Sequence, residues 1–242
     1  MGRFLINDDF LLMQKGYDII IPVYNERKII KLLDYLLLHV KHHNFIYICY
    51  DFEEDITISI FNKSKYNKYQ KIKLLKNPGI GPCEAIKNGL NNSNSDAAIV
   101  YPADDFFNAK ILDEMYEYKI KGYDVVCPSR FIKGGIIKNC PFIKFLIVKF
   151  VSLTLFYLSS LKIKDPTNGF RLFSSQVLKN YTIESNLGFA YSLELLIKSH
   201  KDRRKIIEIP SIWIERLDQK SNFKIIRWSK DYLKWFLKGI TS

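Results

Sequence analysis

An α/β fold with a mostly parallel central sheet flanked by helices is predicted by three observations. Short, β-branched apolar runs alternate with longer segments of helical spacing through the first half of the chain. That β-α-β-α rhythm belongs to parallel sheets covered on both faces. Each apolar run also ends in a polar cluster, which would bring several polar strand ends to the one rim where such sheets bind ligands.

The elements follow in order. YDIIIPV, Tyr17 to Val23, is a strand closed by Pro22 and a turn, and ERKIIKLLDYLLLHV after it has helical spacing. FIYICYD is a second strand, with a short helix expected within DITISIFNKS. KIKLLKN is a third strand, and GPCEAIKNGLNN reads as a helix that stops near Gly89. DAAIVYP, AKILDEMYEYKIKG and YDVVCPS supply a fourth strand, a helix and a fifth strand. The polar clusters at the five strand ends are Tyr24-Asn25-Glu26, Asp51, Asn77 to Gly81, Asp104-Asp105 and Ser129-Arg130.

The second half has another character. PFIKFLIVKFVSLTLFYLSSLKI is strongly apolar, but only 12 uncharged residues separate Lys149 from Lys162. A spanning helix needs about 20, so the stretch predicts a buried or membrane-surface helix pair. FKIIRWSKDYLKWFLKGI places Ile226, Trp228, Tyr232, Trp235 and Phe236 near one helical face, with Arg227, Lys230, Lys234 and Lys238 largely elsewhere. This pattern fits an interfacial amphipathic helix and equally a helix docked on its own core.

Composition narrows the function classes. The 242 residues suit a single domain with a sizeable core, and 48% hydrophobic with 26% charged residues is a globular composition. A net charge of +12 fits nucleic acid, an anionic membrane face or phosphorylated small molecules. Cys49, Cys83, Cys127 and Cys140 stand far apart without a C-x-x-C pair, which argues against a zinc ribbon and for a reduced compartment. Asp8 and Asp9 interrupt the N-terminal segment before a signal-peptide core forms, and Ile6 breaks the Gly2 myristoylation pattern. His39, His42 and His43 have i, i+3, i+4 spacing, which suits a metal site or the last turn of a helix.

The stretch AAIVYPADDFF raises the question of why two carboxylates follow a buried strand. Exposed on a rim, Asp104 and Asp105 suit Mg²⁺ or Mn²⁺, which is held by one or two carboxylates together with substrate phosphates. Either acid also fits the cap of a helix starting near Asn108. Basic residues beside turn residues lie downstream: Arg130 and Lys133, then Arg171, then Arg216, Lys220 and Lys224. Arginine suits bidentate phosphate contact.

IIIPVYNERKIIKLLDYL, NPGIGPCEAIKNGL, YPADD, SRFIKGG, DPTNGFRLF and ERLDQKSNFK occur in that order. Together they resemble the family 2 glycosyltransferases of the GT-A nucleotide-diphospho-sugar transferase fold. The branch most similar is that of the polyprenyl-phosphate (dolichol-phosphate) mannosyl- and glucosyltransferases. The resemblance runs from about Tyr17 to about Lys224. It implies one GT-A domain over 1–242, with a nucleotide-sugar-binding half at 17–130, an acceptor half at 131–224 and an amphipathic C-terminal helix at 225–242. By position it implies that Pro22, Tyr24 and Glu26 border the nucleotide base and that Asp51 binds base or ribose. Asn77 and Gly81 would join them on the donor side, with Arg216 and Ser221 near the diphosphate. Asp104, Asp105 and Arg130 would be catalytic, and the two acids would hold the divalent cation. Lys138, Lys144 and Arg171 would meet the acceptor phosphate.

The chain departs from the family pattern. The usual Asp-x-Asp-x-Gln is here Pro102-Ala103-Asp104-Asp105-Phe106, so either Asp105 substitutes as a ligand or Asp104 holds the ion alone with waters. YDFEEDIT keeps only Asp51, Asp55 and Thr57 of the family's acidic turn, and Gln219 stands where Gly is usual in the RLDQKS loop.

Two acceptors remain open. A sugar hydroxyl must lose a proton, so a carboxylate such as Glu194, or Asp165, Glu184 or Glu208, should stand in reach. A lipid monophosphate is already mostly ionised, with a second pKa of about 6, and needs only cations. Together with what the resemblance implies, the basic, apolar second half favours an inverting transfer to polyprenyl phosphate by a peripheral protein at the cytoplasmic inner face of a membrane. The alternative is transfer to a sugar hydroxyl in surface-polysaccharide assembly. A more remote one is a non-catalytic basic protein bound to membrane or nucleic acid, although rim acids would repel a nucleic-acid backbone, and nucleic acid is not expected as a partner.

Overall fold

The computed structural model describes residues 14–215 and 225–241. The elements of the first half fall where the sequence places them: β1 (Gln14–Pro22), α1 (Ile29–His39), β2 (His43–Tyr50), α2 (Ile56–Asn62), β3 (Ile72–Lys76), α3 (Pro82–Asn92) and β4 (Ser95–Val100). A 3-10 turn (Ala109–Ile111) leads into α4 (Leu112–Ile120), and β5 (Val125–Ser129) follows. The second half holds β6 (Ile136–Lys138), α5 (Phe142–Leu158), β7 (Arg171–Ser174), α6 (Ser175–Asn180), α7 (Ala190–Lys201), β8 (Ile206–Pro210), β9 (Ile212–Ile214) and α8 (Ile225–Ile240).

Seven strands form one sheet in the order β3-β2-β1-β4-β7-β5-β8, and β7 alone runs against its neighbours. Pro22 pairs with Cys49, Tyr50 with Lys76, and Ile20 with Val100, so β1 to β4 end level with one another. Antiparallel β7 begins at this same edge, where Arg171 pairs with Val100. The five strand ends therefore reach one rim, as the alternating pattern implies. Past the rim, β6 and β9 continue the β5–β8 pairing as a separate two-stranded parallel ribbon, in which Ile137 lies beside Trp213.

The central strands are apolar on both faces because helices cover both. Ile19 and Ile21 point into a core packed by Leu32, Leu33 and Leu36 of α1 and Met115 of α4. Ile20, between them in sequence, points to the other face with Ile86 of α3 and Leu195 and Leu196 of α7. A third, smaller cluster joins α5, α7 and α8 through Leu155, Leu193, Ile197 and Trp235.

Three sequence expectations are corrected. Helix α3 does not stop near Gly89 but runs to Asn92, because Gly89 is where the helix lies closest to the sheet. A Cβ there would stand 2.2 Å from Ile20 Cγ2 and 3.0 Å from Cys49 Sγ. The apolar stretch after Pro141 forms one helix, α5, not a pair, and it is mostly uncovered. Phe142 (71%), Ile143 (70%), Phe150 (68%) and Tyr157 (72%) are exposed. His39, His42 and His43 do not share a helix: His39 ends α1 and His43 opens β2. No helix among the described residues is long and apolar enough to cross a membrane.

Glu194, the candidate base on α7, is fully buried and already engaged. Its Oε1 accepts from the Glu184 main-chain N–H (2.7 Å) and from Lys198 Nζ (2.7 Å), and its Oε2 accepts from the Ser185 N–H (2.8 Å). Trp235 of α8 donates from Nε1 to Ser185 Oγ (3.0 Å), so this carboxylate holds the loop on which α8 docks. For α8, the core-docked reading therefore holds at Trp235, while Leu233 and Leu237 stay exposed.

Two stability effects follow. Gly89→Ala should overpack the α3–sheet contact and cost about 1–3 kcal/mol in urea unfolding; an unchanged midpoint would refute the close approach. Glu194→Gln should cost about 3 kcal/mol, because it removes the charge that Lys198 and two buried N–H groups face. A folded, fully stable variant that has lost turnover would instead restore Glu194 as a base.

Candidate active site on the sheet rim

The edge formed by the β1, β2 and β3 ends is built from tied loops. After Pro22 the chain turns through Asn25, which sits in the left-handed region at φ 53°, a conformation asparagine tolerates. Asp55 holds that turn: its Oδ2 accepts from the Asn25 N–H (3.0 Å) and its Oδ1 from the Thr57 N–H (2.8 Å), which also caps α2. Glu26 is turned inward; its Oε1 accepts from the Lys28 N–H (2.7 Å), and its own N–H donates to Thr57 Oγ1 (2.8 Å). Tyr24 remains exposed and meets Phe52 edge to face at 5.7 Å. Sequence reasoning treated Phe52 only as a departure; the structure makes it half of an aromatic pair at the β1 and β2 ends.

Asp51 joins the next two strand ends. Its Oδ1 accepts from Asn77 Nδ2 (2.9 Å) and its Oδ2 from the Gly81 N–H (2.9 Å). Gly81 sits at φ 106°, outside the range of ordinary side chains, and lets the chain turn into α3 at Pro82. Pro22, Tyr24, Glu26, Asp51, Asn77 and Gly81 are thus brought together along one edge, with Glu26 and Asn77 inside it. Arg216 and Ser221, the remaining donor-side candidates, lie outside the described residues.

The two adjacent acids have different roles. Pro102 follows the end of β4, Asp104 stands exposed on the turn, and Asp105 points inward. Asp105 Oδ1 accepts from the N–H groups of Phe107 (2.8 Å) and Asn108 (3.0 Å), and Oδ2 accepts from Asn108 Nδ2 (2.6 Å). Burial pushes its carboxyl above the usual carboxylate range, against the opposing effect of these hydrogen bonds. The expectation that Asp105 is a metal-binding, catalytic acid is corrected on this ground: both of its oxygens are committed to folding the turn that displays Asp104. No group of three or more His, Cys, Asp or Glu side chains gathers at a metal-binding spacing among the described residues. A single exposed carboxylate fits Mg²⁺ or Mn²⁺ shared with a diphosphate and water, and does not fit an all-protein cage.

At the end of β5, Arg130 forms a fork with Asp165, Nε to Oδ2 at 2.7 Å and Nη2 to Oδ1 at 2.7 Å. Asp165 is fully buried. The Arg130 guanidinium also lies 5.0 Å from the Trp213 ring centre. Lys144 covers the same ring at 4.5 Å and pairs with Glu215 at 2.9 Å. Lys138 is exposed on β6, beside that ribbon. Trp213 was not singled out by sequence; a lone Trp in a three-residue strand gives no signal until the ribbon sets it between two cations.

Arg171 is corrected. Its side chain is fully buried, with Nη1 donating to the Ser192 carbonyl (2.9 Å) and Nη2 to those of Asp165 (3.2 Å) and Pro166 (3.3 Å). It fastens the 165–166 turn to α7 and does not face an acceptor phosphate. A cleft of about 170 Å³ opens instead between Phe131, α5 and Lys164. Lys149 sits 4.4 Å from the Phe131 ring centre in its wall, and Ser152 Oγ is buried there without a hydrogen-bond partner. Lys149 and Ser152 are a second pair that sequence reading missed, because an apolar helix conceals which turn faces a cleft.

The Glycosyl transferase family 2 model matches residues 18–182. A dolichol-phosphate mannosyltransferase of Pyrococcus furiosus is 27% identical over 228 residues, 90% of this chain and 63% of that protein. The chain thus spans just under two thirds of that relative. A polyprenol monophosphomannose synthase of Mycolicibacterium smegmatis is 22% identical over 205 residues, 82% of this chain and 77% of its own. Glucosyl-3-phosphoglycerate synthase of Mycobacterium tuberculosis, solved with Mn²⁺, UDP and phosphoglyceric acid, superposes with a TM-score of 0.70 at 12% identity, over 93% of this chain and 78% of that one. At that identity the superposition shows the fold, which is the GT-A fold that the motif order implies. The chain belongs to glycosyl transferase family 2.

Proposed function

We propose that the protein transfers a sugar, with inversion, from a nucleotide-diphosphate sugar to a polyprenyl phosphate at a membrane surface. One observation carries the choice of acceptor: the described carboxylates of the acceptor half are already held by hydrogen bonds or ion pairs, which leaves none placed to take a proton from a hydroxyl. Asp165 pairs with Arg130, Glu194 clamps the 184–185 loop, Glu208 accepts from the Lys164 and Asp165 N–H groups, and Glu184 and Glu215 pair with lysines. A hydroxyl acceptor needs a base, whereas a lipid monophosphate arrives ionised. The named mannose synthases support this acceptor class.

In this reading, Tyr24 and Phe52 offer aromatic faces to the base, and the Asp51–Asn77–Gly81 tie fixes the edge on which the donor lies. Asp104 would hold a divalent cation, which would neutralise charge on the departing diphosphate. Solved neighbours with Mn²⁺ or Mg²⁺ and UDP support such an ion. Arg130 and Lys144, stacked on Trp213, stabilise the charge of the acceptor phosphate, with Lys138 beside them. A phosphate oxygen attacks the anomeric carbon; the bond to the diphosphate breaks, and its electron pair leaves with the nucleoside diphosphate.

The cleft beside Phe131 and the uncovered apolar residues of α5 suit the lipid. With a net charge of +12, the protein is drawn to an anionic leaflet, which supports a peripheral position there.

Calorimetry with GDP-, UDP- and dTDP-sugars should find one donor whose binding needs Mn²⁺ and weakens at least about tenfold in Asp104→Asn. Failure of every donor would overturn the transferase reading. Membrane docking is checked by sedimentation with phosphatidylserine vesicles: Phe150→Asp should lower partitioning about tenfold, and an unchanged partition would count against α5 as the docking face.

A further inference from the structure

Asn108 is 3% exposed, yet its side chain joins two segments far apart in sequence. One N–H of Nδ2 goes to Asp105 Oδ2 at 2.6 Å and the other to the Ile212 carbonyl at 2.7 Å, while Oδ1 accepts from the Ile212 N–H at 2.9 Å. The amide therefore pairs with both main-chain groups of one β9 residue, as a neighbouring strand would. It uses both of its N–H donors in doing so. Asp105 completes the lock by accepting from the Phe107 and Asn108 main-chain N–H groups, and the Tyr101 hydroxyl donates to the Asp105 carbonyl at 3.0 Å.

The two joined segments carry opposite charges. Asp104 is adjacent to Asp105 on the exposed side of the turn. Trp213 is adjacent to Ile212 and carries the Arg130 guanidinium and the Lys144 ammonium over its ring. Through Asn108, the turn bearing Asp104 and the ribbon bearing the cation stack are held as one unit. We propose that Asn108 is a positioning residue, fixing the separation between the Asp104 carboxylate and the Arg130–Trp213–Lys144 stack, and thereby the rate of transfer rather than the affinity for donor. The inference rests on the transferase reading above. Its physical basis is that donor and acceptor react only at near-attack distance, where a displacement of about 1 Å costs about 100-fold in rate.

Asn108→Ala removes the link. Asn108→Asp keeps the size and the oxygen facing the Ile212 N–H but loses both N–H donors. Each is compared with wild type for melting temperature, for Kd of the donor selected in the Mn²⁺ panel, and for kcat with a short-chain polyprenyl phosphate. The expected result is a donor Kd within about threefold of wild type with kcat reduced at least about tenfold in both variants. An undiminished kcat in an active background overturns this inference alone. A parallel fall of kcat, donor affinity and melting temperature, or loss of the fold in both variants, overturns it in favour of a purely structural role. A wild type that binds no nucleotide sugar overturns the transferase reading and this inference with it.

Discussion

The buried fork between Arg130 and Asp165 is the interaction on which the β5–β8 end of the rim depends. Asp165 accepts from the Arg130 main-chain N–H as well as from its guanidinium, and its own N–H is held by Glu208 of β8. Its carbonyl accepts from Arg171, whose other nitrogen reaches α7. One residue, through its carboxylate and its main-chain groups, thus links β5, β7, β8 and α7 at the rim. Removing either partner would leave an uncompensated buried charge, at a cost of about 3–5 kcal/mol. The guanidinium plane that results is fixed against Trp213, so the group nearest the expected chemistry is also a structural anchor.

The donor side solves the same problem with neutral and main-chain partners. Asp51 and Asp55 each accept from the main chain of a neighbouring loop, and Asp105 does so within its own turn. Parallel strands leave their carboxyl ends without a hairpin to organise them, and side-chain acceptors supply the missing order. Asp104 is left on the exposed side of such a turn. A rim assembled in this way presents a carboxylate and aromatic faces at one end and cations at the other.

The second half adds a surface rather than a second site. Helix α5 is held by Ser152 and Leu155, its two buried residues, and by the small cluster it shares with α7 and α8. The rest of its apolar side chains lie uncovered beside the cation stack and the Phe131 cleft. Exposed apolar surface of this kind marks an interaction face, and it lies next to Lys149 and Lys144 on the same helix.

The chain by itself determined the layered α/β fold, because short continuous apolar runs alternating with segments of helical spacing have few other solutions, and the ordered motifs determined the family. It also determined that polar strand ends would share a rim. Tertiary structure decided which of those polar residues face outward. Asp104 keeps a family acid position and Asp105 does not, but only the Asn108 and main-chain donors around Asp105 decide which of the two faces outward. Arg130 and Arg171 look equally fit for phosphate until the β7 pairing buries one of them. Glu194 looks like a base until α8 docks on the loop it clamps. Gly89 reads as a helix stop until the sheet arrives 2.2 Å from where its Cβ would be. In each case the deciding partner is remote in sequence, and a buried polar group takes its role from that partner rather than from its neighbours along the chain.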